Sequence, residues 1–89
     1  MAKMRRVYSV DQQQMTQTID GYIHIVDYYK KEDEGIVFVR SRIYKDDCAL
    51  GFIRYDYGHY SSQLVDTVDY NTVLTQFKSL FSIINNKNQ

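Results

Sequence analysis

Between Gly35 and Tyr57 the chain alternates two kinds of side chain. In residues 36–44, IVFVRSRIY, the odd positions Val37, Val39, Ser41 and Ile43 are small or apolar. The even positions Phe38, Arg40, Arg42 and Tyr44 are aromatic or cationic. A period of two is the signature of a strand whose faces meet different environments. Residues 48–57, CALGFIRYDY, separate in the same way, and the polar Lys45-Asp46-Asp47 between the two runs predicts a hairpin turn. With Tyr44 opposite Cys48 across a three-residue turn, Arg40 faces Phe52 and Phe38 faces Arg54. In that register Val37, Val39, Ile43, Ala49, Gly51 and Ile53 form the core side. Phe38, Arg40, Arg42, Tyr44, Leu50, Phe52 and Arg54 form the other. A slip of one residue would mix the two sets.

The flanking elements follow from weaker patterns. Met4–Val10 (MRRVYSV) reads as a short first strand, with Lys3, Arg5 and Arg6 giving a basic, solvated start. Residues 12–20 carry two signals. Asp11 and Gln14 have capping-box spacing with Val10 and Met15 as staple, and Met15, Ile19, Tyr22, Val26 and Tyr29 recur at helical intervals. Yet TQTIDGYIHIVDYY holds no Ala, Leu, Glu or Lys, and its β-branched and aromatic residues disfavour helix. The pattern predicts a strand over 22–29 after an Asp20-Gly21 turn, and leaves 12–20 open between a short helix and more strand. Lys30–Gly35 (KKEDEG) reads as a charged hairpin loop ending on a glycine suited to positive φ. One more edge strand is expected near Gln63–Thr67. Asp69 then caps a helix over Tyr70–Ile84, whose stripe of Val73, Phe77, Leu80 and Ile84 is core, and Asn85–Gln89 is expected to fray. The fold class that results is α+β: one domain over residues 1–89, an antiparallel meander of four to five strands with the C-terminal amphipathic helix across one face.

Composition narrows the function classes. The 89 residues carry 11 basic and 11 acidic side chains, without the positive excess of a nonspecific duplex-DNA binder. Mean hydropathy is -0.48, and no apolar run approaches the roughly 20 residues that span a bilayer. No apolar h-region follows the charged N-terminus, so no secretory signal is expected. Cys48 is the single cysteine; that excludes an intramolecular disulfide and suits a reducing, cytoplasmic setting. Nine tyrosines, with no tryptophan and no proline, suit strands and also binding surfaces.

Enzymatic constellations are missing from the sequence. His24, Cys48 and His59 lie far apart, without metal-ligand spacing. His24 reads as a partly buried strand residue and His59 as a loop residue. Cys48 follows Asp46 and Asp47, the wrong surroundings for an activated thiol. No glycine-rich phosphate loop occurs. The expectation is therefore a non-enzyme with no catalytic residues, no metal and no cofactor.

What rises above background is the face carrying Phe38, Arg40, Arg42, Tyr44, Phe52 and Arg54. Arginine and aromatics dominate interface hot spots, and this much apolar area asks for cover. The first expectation is a protein-binding module, homodimeric, that occupies a partner protein's surface. Inhibitory and regulatory proteins of phages and mobile elements are often small, neutral, tyrosine-rich domains of this kind. The alternative is a single-stranded nucleic-acid binder, with rings stacking on bases and Arg40, Arg42 and Arg54 on phosphates. Residues 22–35, YIHIVDYYKKEDEG, resemble the second strand of the positive-cofactor-4-like single-strand DNA-binding proteins, whose antiparallel sheet also ends in a helix. This chain lacks that family's glycine- and lysine-rich first strands and has two further strands before its helix, so membership does not follow.

Overall fold

The computed structural model describes residues 10–31 and 34–87. Five strands and one helix follow in chain order: β1 Val10–Ile19, β2 Tyr22–Lys31, β3 Gly35–Lys45, β4 Cys48–Asp56, β5 His59–Leu64 and α1 Tyr70–Lys87. The strands form one antiparallel sheet in the order β1-β2-β3-β4-β5, a plain meander. The helix lies across one of its faces.

Tight turns make this possible. The β1–β2, β3–β4 and β4–β5 connections each have two residues, Asp20-Gly21, Asp46-Asp47 and Tyr57-Gly58, all with positive φ. Two successive positive φ values are what a type I′ turn needs, and its twist matches that of the strands it joins. Asp tolerates this conformation because its short side chain can bond the local backbone. Tyr57, at φ 47°, has no such help, and bulky residues there are uncommon.

Residues 12–20 resolve as strand. Val10–Ile19 pairs with Tyr22–Lys31 through an unbroken register, so the capping-box signal at Asp11 and Gln14 is overridden by hairpin pairing. Met4–Ser9 lies outside the described residues. The last strand occupies His59–Leu64 rather than Gln63–Thr67, because the two-residue turn starts pairing at once. The helix continues through Asn85 and Asn86 to Lys87, beyond the expected end at Ile84. Asp69 caps it: Oδ1 accepts from the Asn71 amide at 3.2 Å and Oδ2 from the Thr72 hydroxyl at 2.8 Å.

The central register differs from the expected one by one residue beside the turn and by two residues beyond a bulge. Lys45 pairs with Cys48, Arg42 with Phe52, Arg40 with Arg54 and Phe38 with Asp56. A shift of two preserves the faces, so Val37, Val39, Ile43 and Ile53 are all buried. A bulge beside Ile43 and Tyr44 changes two assignments. Ala49 pairs with Tyr44 and is exposed, whereas Leu50 packs against the core. The extra residue of a bulge reverses the alternation beyond it. Gly51 stands beside this irregularity at φ 128°. A Cβ there would strike the Gln63 carbonyl oxygen and lie 2.8 Å from Leu64 Cα. Only glycine lets β5 approach β4 this closely.

The core is the seam between sheet and helix. Val26, Tyr28, Val39, Ile43 and Ile53 meet Val73, Phe77, Leu80 and Ile84, all buried. An edge-to-face aromatic chain extends it, with Tyr55 and Phe81 centroids 4.7 Å apart and Tyr60 and Phe77 centroids 6.3 Å apart. Inside this seam His24 and Ser41 are fully buried and Gln76 nearly so. The Ser41 hydroxyl and His24 Nδ1 are 2.7 Å apart, and His24 Nε2 and Gln76 Oε1 are 2.8 Å apart. The consistent arrangement has neutral His24 donating from Nε2 to Gln76 and accepting from Ser41. Burial pushes the His24 pKa below its ordinary 6.5, against the bond to Gln76.

Candidate functional site

Phe38, Arg40, Arg42 and Tyr44 occupy alternate positions of β3, and Phe52 and Arg54 face Arg42 and Arg40 from β4. The core-facing residues take the other parity, so these six side chains share the face away from the helix. Among the described residues, no helix or loop lies across it. The six are brought together as a band, with Ile25, Asp27 and Tyr29 of β2 completing it on one side.

Asp27 is the centre of that band and carried no signal of function in the sequence. It pairs with Arg40 across β2 and β3, and it is only 5% exposed although it lies on the open face. Arg40 Nη2 donates to its Oδ2 at 3.2 Å and Arg42 Nη2 to the same oxygen at 3.4 Å. Gln14 of β1 donates to Oδ1 at 2.7 Å. Burial raises the Asp27 pKa, but the Gln14 bond and the two guanidiniums outweigh it, so the carboxyl sits below its ordinary 3.8. One carboxylate thus aligns two neighbouring arginines flat on the sheet. Their Nε atoms are buried without a partner, while about two-fifths of each side chain stays in water. Arg54 is exposed beside them. The available clue was an aspartate inside an otherwise β-forming run, IHIVDYY, where aspartate is depleted unless something holds it.

At one end of the band lies a pocket of about 270 Å³ lined by Tyr29, Lys31, Val37, Phe38, Asp56 and Tyr57. Tyr29 and Phe38 pack edge to face, 5.1 Å between centroids. The Tyr57 amide donates to the Val37 carbonyl at 2.9 Å, which holds the strained turn in place. The Tyr57 ring stays 54% exposed at the rim. Lys31 Nζ lies 5.8 Å from that ring and 3.3 Å from Glu34 Oε2. Contact with Tyr57, then Glu34, raises the Lys31 pKa. Sequence reasoning did not single out Tyr29, Lys31, Asp56 or Tyr57. Their convergence depends on the β2–β3 register shift at Tyr29 and Lys30.

The other candidates separate. His24 is fully buried in the seam, more deeply than expected, His59 is exposed at the start of β5, and Cys48 is exposed at the start of β4. Among the described residues, no group of three or more His, Cys, Asp or Glu could hold a metal ion, and no helix is long and apolar enough to cross a membrane. No family model, curated protein or solved structure matches this chain.

Proposed function

We propose that this chain is a non-enzymatic protein-binding module, working as a homodimer, that occupies a partner protein's surface with the helix-free face of its sheet. In this reading it is an inhibitory or regulatory protein of the kind carried by phages and mobile elements. The observation that carries the reading is the pair Arg40 and Arg42, pre-aligned on Asp27 between the half-buried rings of Phe38, Tyr44 and Phe52. Flat arginines flanked by aromatics have the composition of an interface hot spot, and their fixed geometry lowers the entropy lost on binding. Tyr57 points the same way: a turn position that favours Asn, Asp or Gly holds instead a strained tyrosine at a pocket rim.

Charge favours a protein partner over nucleic acid. In the band itself three guanidiniums stand against the carboxylates of Asp27 and Asp56, and Lys31 at the adjoining pocket is paired with Glu34. Asp27 already takes one Nη2 donor from each of Arg40 and Arg42 and offsets their charge, which weakens their pull on a phosphate. The partner surface that fits is apolar with scattered acidic groups.

Affinity capture with wild type, Phe52→Asp and Ile83→Asp tests this. Ile83 is exposed on the helix, so Ile83→Asp should retain the same partner and Phe52→Asp should lose it. Retention by all three refutes the outer-face assignment. Fluorescence anisotropy with labelled single-stranded DNA and RNA at low salt tests the alternative. Binding at about 10 µM or tighter that Arg54→Glu abolishes would replace the protein reading with the nucleic-acid one.

A further inference from the structure

β1 is a terminal strand of the described sheet. Ile19 and Tyr22 flank a two-residue turn, so they exchange main-chain hydrogen bonds. Alternation then directs the N–H and C=O groups of Gln12, Gln14, Thr16 and Thr18 away from β2. Among the described residues, no strand lies on that side. Exposed edges are usually guarded by charge, proline, a bulge or short length. Residues 12–19, QQQMTQTI, contain no charge and no proline, and β1 runs ten residues without a register shift. The opposite edge strand, β5, has only six residues.

We infer that β1 pairs antiparallel with β1 of a second copy, about a two-fold axis at Met15. It shares the homodimer with the proposed function and uses none of the outer-face argument. A two-fold normal to the sheet keeps helix-side residues opposite helix-side residues, which restricts the register to a few choices. Centring on Met15 places this half-buried side chain against its own copy and removes both from water. Gln14 then faces Thr16 and Gln12 faces Thr18, neutral pairs able to hydrogen-bond across the seam. Residues 12–18 carry no charge, so no like charges meet in these pairs. Four outward pairs with two bonds each make about eight main-chain hydrogen bonds. The alternative centre at Gln14 would set Met15 against Gln13. The product is a continuous sheet with both helices on one side and both arginine bands on the other.

Sedimentation velocity and single-cysteine crosslinking test this together. Wild type should sediment as a dimer at about 100 µM, and Thr16→Pro, which removes an outward donor without touching the β1–β2 ladder, as a folded monomer by circular dichroism. Phe52→Asp should remain dimeric even where it loses a captured partner, which separates this inference from the outer-face reading. In a Cys48→Ser background, Met15→Cys should form an intermolecular disulfide under mild oxidation, and Gln13→Cys should not. A monomeric wild type, a dimeric Thr16→Pro, dissociation by Phe52→Asp, or crosslinking through Gln13→Cys in preference to Met15→Cys would each overturn it.

Discussion

Replacing Asp27 by asparagine removes one charge and almost no volume, so it isolates what the carboxylate does for the arginine band. The amide oxygen can still accept from Gln14, which preserves the 2.7 Å bond. Two guanidinium contacts at 3.2 and 3.4 Å are lost. Fully buried, such a pair would cost about 3–5 kcal/mol on losing one partner. Here the arginine side chains are 44% and 40% exposed, so water reclaims much of that, and about 0.5–1 kcal/mol per contact is appropriate. Repulsion among Arg40, Arg42 and Arg54, no longer offset, adds a few tenths. Asp27→Asn should therefore lose about 1–2.5 kcal/mol in urea unfolding at pH 7 and low salt. The acid limb supplies a second check. The folded carboxyl lies below 3.8, so its contribution is present above that value and disappears as pH falls through the folded pKa. The gap between wild type and Asp27→Asn should narrow as pH falls below 3.8. Equal stability at pH 7, or a gap that does not narrow on acidification, would refute the account of Asp27 as the charge that holds the band.

Wild-type stability should also fall below about pH 6.5, by up to about 1.4 kcal/mol per pH unit. His24 is neutral and buried in the fold but takes up a proton when unfolded. A urea series from pH 7.5 to 5 in wild type and His24→Gln would show the slope and its loss. Gly51→Ala should destabilise by about 3 kcal/mol or more, since φ 128° and the β5 backbone both exclude a Cβ; thermal melting reads this directly. Asp69→Ala should lower stability by about 1 kcal/mol through the vacated cap, visible as a few degrees in melting temperature. Tyr57→Asn should raise stability by about 0.5–1 kcal/mol by relieving the turn, while weakening capture of any partner that uses the pocket.

How much was legible depends on the range of the physics involved. The face assignment of β3 survived a one-residue error in turn length because the bulge added a second residue of shift, and side-chain period is two. Leu50 and Ala49 were misassigned because a bulge is set by how β3, β4 and β5 fit together. It leaves only an indirect trace, Gly51, in the local pattern. Residues 12–20 carried a real capping motif that lost to hairpin closure by Asp20-Gly21. The arginines of the band were visible as a repeated residue type. Their organiser was not, since Asp27 lies on a different strand and Gln14 on a third.

By itself the sequence determined the architecture: strand periodicity, a polar turn, and a capped helix with an apolar stripe. All of these follow from interactions between near neighbours in the chain. The tertiary structure alone decided which carboxylate aligns the arginines, that His24 is buried on Ser41 and Gln76, where the aromatic pocket lies, and which strands bound the described sheet. Each of these joins residues from separate strands or from sheet and helix. Local preference cannot encode such a meeting, because it depends on register, and register is settled only when the whole sheet closes under the helix.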